Sequence, residues 1–153
     1  MNIQQAYTDW SDTYDQDRNL TRDLDAIVTK EILANLRCES ILEIGCGTGK
    51  NTALLARIGR QVLAIDFSPG MIEKAREKLS LANVTFNAAD ITHAWPGKDQ
   101  SFDLVVCNLV LEHISDFIDA GSVNCLTLSR MKEWWHQEDQ NKPPRLISFM
   151  FHK

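Results

Sequence analysis

Apolar positions along the chain follow two rhythms, and the change from one to the other divides it. Leu24, Val28, Ile32 and Leu36 recur every fourth residue after Thr21, with Ile27 and Leu33 widening the stripe. That spacing predicts a helix with one face in a core. Thr21 is a suitable N-cap, and Asp23 and Asp25 place negative charge in a first turn, where the helix dipole favours it. Ahead of this helix, "MNIQQAYTDWSDTYDQDRNL" is polar except for Tyr7, Trp10 and Tyr14 at spacings of three and four. This is the pattern of a short amphipathic helix that packs its aromatic side on the domain as a cap.

Four short apolar runs follow, "SILEIG", "QVLAIDF", "VTFNAA" and "FDLVVCNLV", with helical patterns between them. Continuous apolar runs of this length mark parallel strands buried on both faces, so the predicted class is α/β. Between the first two runs Leu54, Leu55 and Ile58 form a stripe that stops at Gly59, which reads as a left-handed C-terminal cap. Between the second and third, Ser68 caps a helix with Pro69 at its first position and Met71, Ala75 and Leu79 along one face. Both crossovers are long enough for right-handed βαβ units. After the fourth run the pattern predicts a short helix to about Ala120, an extended piece near Cys125 to Leu128, and a helix from Ser129 through Trp134 and Trp135. "NKPPR" is a break, and "LISFMF" a final strand.

Composition adds limits. The 153 residues, 44% hydrophobic and 24% charged, suit a single globular domain spanning residues 1–153. A net charge of −5 gives no basic footprint for duplex nucleic acid. Cys38, Cys46, Cys107 and Cys125 are too widely spread for a C-x-x-C pair, and the opening segment is polar, so the expectation is reduced thiols in the cytoplasm. No apolar stretch approaches the length that spans a bilayer, and His93, His136 and His152 lack metal-ligand spacing.

The candidate chemistry lies in "ILEIGCGTGKNT". A phosphate loop, G-x-x-x-x-G-K-[ST], would need glycine where Ile44 stands and a hydroxyl where Asn51 stands. The dinucleotide fingerprint G-x-G-x-x-G, starting at Gly45, would need its third glycine at Lys50, which argues against an NAD-dependent oxidoreductase. What remains is Glu43 in the strand, then Gly45, Gly47 and Gly49, with Asp66 ending the second strand 21 residues after Gly45. A carboxylate there can accept both hydroxyls of a ribose. Asp90 follows the third strand, where it could accept from an adenine amino group while the N–H of Ile91 donates to the ring. This set describes a nucleoside without a pyrophosphate.

With these residues in place, the chain resembles the class I S-adenosylmethionine-dependent methyltransferases, in their small-molecule, type 11-like branch. The matching pieces are "YDQDRNLTRDLD", "ILEIGCGTG", "AIDFSPGMIEKAREK" and "NAADITHAWPGKDQSFDLVVCNLVLEHI", in family order over residues 14 to 114. The resemblance implies a doubly wound, Rossmann-like sheet of four parallel strands plus antiparallel C-terminal strands. Cap helices would occupy residues 1–36, the cofactor-binding core 37–114, and a C-terminal helix and strands 115–153. It also implies S-adenosyl-L-methionine as cofactor and a small-molecule acceptor. Backbone at Gly45, Cys46 and Gly47 would pass close to the methionine part and ribose, where side chains would collide. Asp66 would hold the ribose hydroxyls, Phe67 and Met71 would lie against adenine, and Asp90 and Ile91 would read its edge. Asn108 and Leu109 would offer backbone contacts to the methionyl end. Glu43 would orient the loop or, through water, the ammonium group, and Tyr14 and Arg22 match positions on the family's amino-terminal lid.

Methyl transfer from a sulfonium needs mainly in-line positioning and exclusion of water. For an acceptor that must lose a proton, His113 is the best-placed base, ahead of Glu112. After Ile114 the sequence departs from the family pattern: the helix, the Leu-Lys-Pro-Gly-Gly type turn and the fifth parallel strand are missing. "NCLTLSRMKEWWHQEDQNKPPRLISFMF" resembles the family's last two antiparallel strands, as if roughly 80 to 100 residues were absent internally. The loss leaves the fourth strand with an open edge. Either "LISFMF" pairs with it to give a six-stranded sheet, or two chains pair across it as a homodimer. An alternative to an enzyme is a non-catalytic binding or assembly module that keeps the cofactor pocket.

Overall fold

A computed structural model describes residues 3–91, 101–110, 127–134 and 146–152. Helices α1 (Ile3–Trp10) and α2 (Leu20–Leu33) precede β1 (Cys38–Ile44), α3 (Thr52–Ile58), β2 (Gly59–Asp66), α4 (Pro69–Lys78), β3 (Val84–Ala88) and β4 (Leu104–Cys107). Strands β5 (Thr127–Trp134) and β6 (Leu146–His152) come last. The first four strands form one parallel sheet in the order β3-β2-β1-β4, with Ile44 paired to both Ile65 and Cys107, and Asp66 paired to Ala88. In a parallel sheet all the carboxyl ends lie along one edge. The connection direction reverses between β1 and β4, the switch point at which ligands of such sheets bind.

The apolar runs are buried on both faces as their composition requires. On one face Ile41, Val62 and Val106 pack with Leu33 of α2 and with Leu55 and Ile58 of α3, while Ala64 and Phe86 pack with Ile72 and Ala75 of α4. Leu42, Ile44 and Ile65 point to the other face, against Ile91, Phe102, Cys107 and Val110. Ser68 caps α4 as expected, its hydroxyl accepting from the Met71 N–H at 3.3 Å, with Pro69 in the first turn.

Several expectations are corrected. The N-cap of α2 is Asn19, not Thr21: its side-chain oxygen accepts from the N–H groups of Thr21 and Arg22, two of the donors left over at a helix start. The helix therefore begins earlier and ends at Leu33. Leu36 lies beyond it, 41% exposed, and Ile27 is 58% exposed rather than part of the buried stripe. Gly59 is extended, at φ −103°, and opens β2 instead of capping α3 in the left-handed region. Residues 129–134 are strand, not helix, because β5 pairs antiparallel with β6. β6, the "LISFMF" run, pairs with β5 and not with β4, so the described strands form a four-stranded and a two-stranded sheet instead of one of six. The expected helix to Ala120 and the "NKPPR" break lie outside the described residues.

Candidate functional site at the carboxyl edge of the sheet

The turn after β1 is built from backbone. The N–H groups of Gly45 and Cys46 both donate to the carbonyl of Ile65, at 2.8 and 2.9 Å, which closes the loop onto the end of β2. Gly45 and Gly47 have φ of +71° and +54°, a region that penalises any side chain. Their surroundings differ. A Cβ at Gly45 would meet Cγ2 of Val110 at 2.0 Å, so this glycine admits a neighbouring side chain from beyond β4. Nothing lies within 4 Å of a Cβ at Gly47, and there the backbone faces open space.

Asp66 ends β2 and is 7% exposed. One carboxylate oxygen accepts from the Gly47 N–H at 2.9 Å and the other from the Ser68 N–H at 2.9 Å, so the group fixes both the glycine turn and the start of α4. Glu43 is 4% exposed and accepts from the Thr52 hydroxyl at 2.6 Å. Burial drives its pKa up to about 8; the Thr52 bond opposes this, and the charges of Asp25 and Asp66 add to it. Burial likewise raises Asp66 and Asp25 above the usual carboxylate range, and raises the Cys46 thiol. The turn is thus ringed by buried carboxyl groups.

Asp25 was expected to complement a helix dipole, but α2 starts early enough to put it past the first turn. It is 6% exposed, and its oxygens accept from the side-chain amides of Asn108 and Asn51, each at 2.8 Å. The Asn108 amide also donates to Thr29 Oγ1 at 2.6 Å. Leu109 has φ +56°, a left-handed backbone that is costly for a branched side chain. Lys50, where a dinucleotide loop would have glycine, donates at 3.4 Å to the carbonyl of Arg22 and to Asp23.

The amino-terminal segment lies across this edge. Tyr7 meets the Phe67 ring edge-on at 5.6 Å, Gln4 donates to the Phe67 carbonyl at 2.6 Å, and the hydroxyls of Thr8 and Ser68 are 2.9 Å apart. Asp15 accepts from Thr48 of the glycine loop at 2.8 Å and from Lys78 at 2.6 Å. Arg22 is 7% exposed; its guanidinium donates to the carbonyls of Tyr14 and Asp17 and stacks 4.2 Å from the Tyr14 ring. Its Nε has no partner among the described residues.

The structure therefore brings Glu43, Gly45, Cys46, Gly47, Asp66, Phe67, Asp90, Ile91, Asn108 and Leu109 to one edge, because each follows or ends a parallel strand. Asp90 is exposed and Ile91 half-buried. Met71 is 1% exposed and enclosed by the fold. His113 and Glu112 lie outside the described residues. Among the described residues no group of three acidic, histidine or cysteine side chains could hold a metal. Asp25, Asn51 and Thr29 were missed as site residues. Their one sequence signal was two polar letters four apart on an apolar helix.

A profile of the methyltransferase domain matches residues 41–127, more than half of the chain. A malonyl-[acyl-carrier protein] O-methyltransferase of Anoxybacillus flavithermus is 34% identical over 115 residues, covering 74% of this chain and 43% of the relative. A demethylmenaquinone methyltransferase of Clavibacter sepedonicus is 38% identical over 89 residues, covering 58% and 36%. Among solved structures, a DhpI–SAH complex superposes with a TM-score of 0.67 at 25% identity, over 88% of this chain and 69% of that one. The chain spans less than half the length of these two curated relatives. On the profile match and the shared fold, the chain belongs to the methyltransferase domain family, in its class I, S-adenosylmethionine-dependent form.

Proposed function

We propose that the chain binds S-adenosylmethionine at the carboxyl edge of its sheet and transfers the methyl group to a small-molecule acceptor. One observation carries this reading: an open, left-handed Gly47 tied to a strand-end carboxylate, within a ring of buried carboxyl groups. The strand-end carboxylate suits the hydroxyls of a ribose, and the turn lacks the register of a phosphate cradle, which together suit a nucleoside ligand without phosphate. Asp66 would accept the ribose hydroxyls on the lone pairs its backbone bonds leave free. Phe67 would lie against adenine with Met71 behind it, and Asp90 and Ile91 would read the ring edge. The backbone of Gly45, Cys46 and Gly47 would line the ribose and methionyl path, with Asn108 and Leu109 opposite. Glu43 would act on the ammonium group through water, and Arg22 would secure the segment that covers the site.

When bound, the cofactor supplies a methyl on a sulfonium, with a neutral thioether as leaving group. The protein's part is to align and to exclude water. The segment from Tyr7 to Asp17 supplies the cover, and in this reading His113 takes the proton from an O–H or N–H acceptor. The names of the two curated relatives favour small acceptors, and the net charge of −5 argues against a nucleic-acid backbone. No helix among the described residues is long and apolar enough to cross a membrane, and Cys38, Cys46 and Cys107 are free thiols, which supports a cytoplasmic setting.

Calorimetry with S-adenosylmethionine and S-adenosylhomocysteine tests the reading. Binding is expected, and Asp66→Ala should weaken it at least about tenfold, the cost of a lost charge-assisted pair. Absence of heat for both ligands at high protein concentration sinks it. A second reading, cofactor binding without turnover, is favoured by the departure from the family pattern after Ile114. Binding with no product across a broad panel of acceptors would select it. The edge of β4, which has no strand partner among the described residues, supports a homodimer in either case.

A further inference from the structure

We propose that Asp25 is a positioning residue for the cofactor site: by holding Asn108 and Asn51 at once, it sets the end of β4 and the start of α3 on either side of the glycine turn. This rests on the cofactor reading above and adds a residue to it. In this proposal Asp25 makes no ligand contact: the side chain is buried and its oxygens hold the two amides, at 2.8 Å each. It acts through what it holds.

Three observations support the assignment. First, the position is costly. α2 packs Leu24, Val28 and Leu33 into the core, and replacing Asp25, Asn51 and Asn108 together by apolar residues would avoid burying a carboxylate, a kind of replacement that is often neutral or stabilising. Stability alone does not explain an acid there. Second, Thr29 stands one turn along the same helix and accepts from the same Asn108 amide at 2.6 Å. Two polar residues thus form a polar stripe aimed at one side chain from another element. Third, the residue after Asn108 is Leu109, held at φ +56°. A branched residue stays in that region only where its surroundings over-determine it, and the double anchor on Asn108 fixes the backbone at that point. The partner on the far side, Asn51, immediately precedes α3 and follows the loop.

The test is the affinity of the folded protein for S-adenosylmethionine, by calorimetry, with thermal unfolding of the ligand-free protein alongside. Asp25→Asn can accept only one of the two amides and leaves the other facing a donor, so affinity should fall about tenfold or more. Combining Asp25→Asn with Asn108→Asp reverses one bond. The new amide accepts from Asn51 through its oxygen and donates through its nitrogen to the new carboxylate, to which the Thr29 hydroxyl can also donate. That double variant keeps the net charge and should recover affinity to within about threefold of wild type. An unchanged affinity in Asp25→Asn, or a double variant no better than the single one, overturns the proposal. So does a loss of thermal stability without a loss of affinity, which would assign Asp25 to folding alone. Should Asp25→Asn fail to fold, Thr29→Val decides: it removes one acceptor of Asn108 and should weaken binding about threefold, and an unchanged value overturns the assignment. A wild-type protein that binds neither cofactor nor its demethylated product removes the cofactor reading as a whole; a binding wild type with indifferent variants removes only this one.

Discussion

Glu43 is buried near the end of β1 with one hydroxyl as its partner, and its proton affinity follows from that placement. Burial, opposed by the Thr52 bond and assisted by the charges of Asp25 and Asp66, raises its pKa from 4.5 to about 8. The unfolded chain releases this proton near the ordinary value, whereas the fold retains it. Stability is therefore fully present below pH 4.5 and is lost as pH rises toward 8, at up to about 1.4 kcal/mol per pH unit. Glu43→Gln keeps an acceptor for Thr52 and cannot ionise. Its melting temperature should match wild type near pH 5 and exceed it near pH 8, in calorimetric scans of the ligand-free protein. Parallel pH profiles for the two proteins would refute the account. Asp25 and Asp66 are shifted in the same direction, so a shallower slope should persist in the variant. A carboxylate that ends a strand commonly caps the next helix, and Asp66 does accept from the Ser68 N–H; its place 21 residues after Gly45 is what singled it out in the sequence. Asp25 was not legible: an acid near a helix start serves a dipole equally well, and only the true cap at Asn19 moves it past the first turn. Gly45 was legible as a necessity, and the structure adds a neighbour that the sequence does not name, since Val110 occupies the space a Cβ there would take.

Among the elements, α1 is fastened to α4 by close approach. A Cβ at Gly70 would lie 2.9 Å from Cγ2 of Thr8 and 3.1 Å from its Cα, and ion pairs from Asp12 to Lys74 at 2.8 Å and from Asp15 to Lys78 at 2.6 Å continue the contact. Those pairs are partly exposed and contribute little by themselves. Gly70→Ala should therefore lift α1 while leaving α4 intact, since alanine raises helix propensity by about 1 kcal/mol. Chymotrypsin should cut after Tyr7 and Trp10 several times faster in the variant, with global stability changed by less than about 1 kcal/mol. Unaltered cleavage would show that α1 does not depend on this approach. Elements whose partners are near in sequence were legible, such as the Ser68 and Pro69 start of α4. β5 was not. "TLSRMKEW" satisfies a helical spacing through Leu128, Met131 and Trp134, and its antiparallel partner β6 begins too far along the chain for a local pattern to reveal it.

For the whole molecule, the order β3-β2-β1-β4 leaves the far side of β4 without a strand partner among the described residues, and Val105 on that strand is 42% exposed. Sedimentation at rising concentration should show a monomer–dimer equilibrium, and Val105→Lys should weaken it about tenfold through charge repulsion across a two-fold contact. A monomer at every concentration excludes pairing through this edge. The sheet class was legible because runs of buried strand residues fix it, and with it the edge along which the strand ends collect. The division into two sheets was not, since the same "LISFMF" can pair with either neighbour. The orientation of Lys50 carries a last consequence. Its ammonium is engaged by the Arg22 carbonyl and by Asp23, both on α2. A nucleoside triphosphate or a dinucleotide would find that lysine already engaged, and its phosphates would lack a cation from this loop. A loop that looks at first like a phosphate cradle is thus left without its lysine, and adenine nucleotides are expected to compete poorly with a phosphate-free adenosine ligand in a calorimetric displacement.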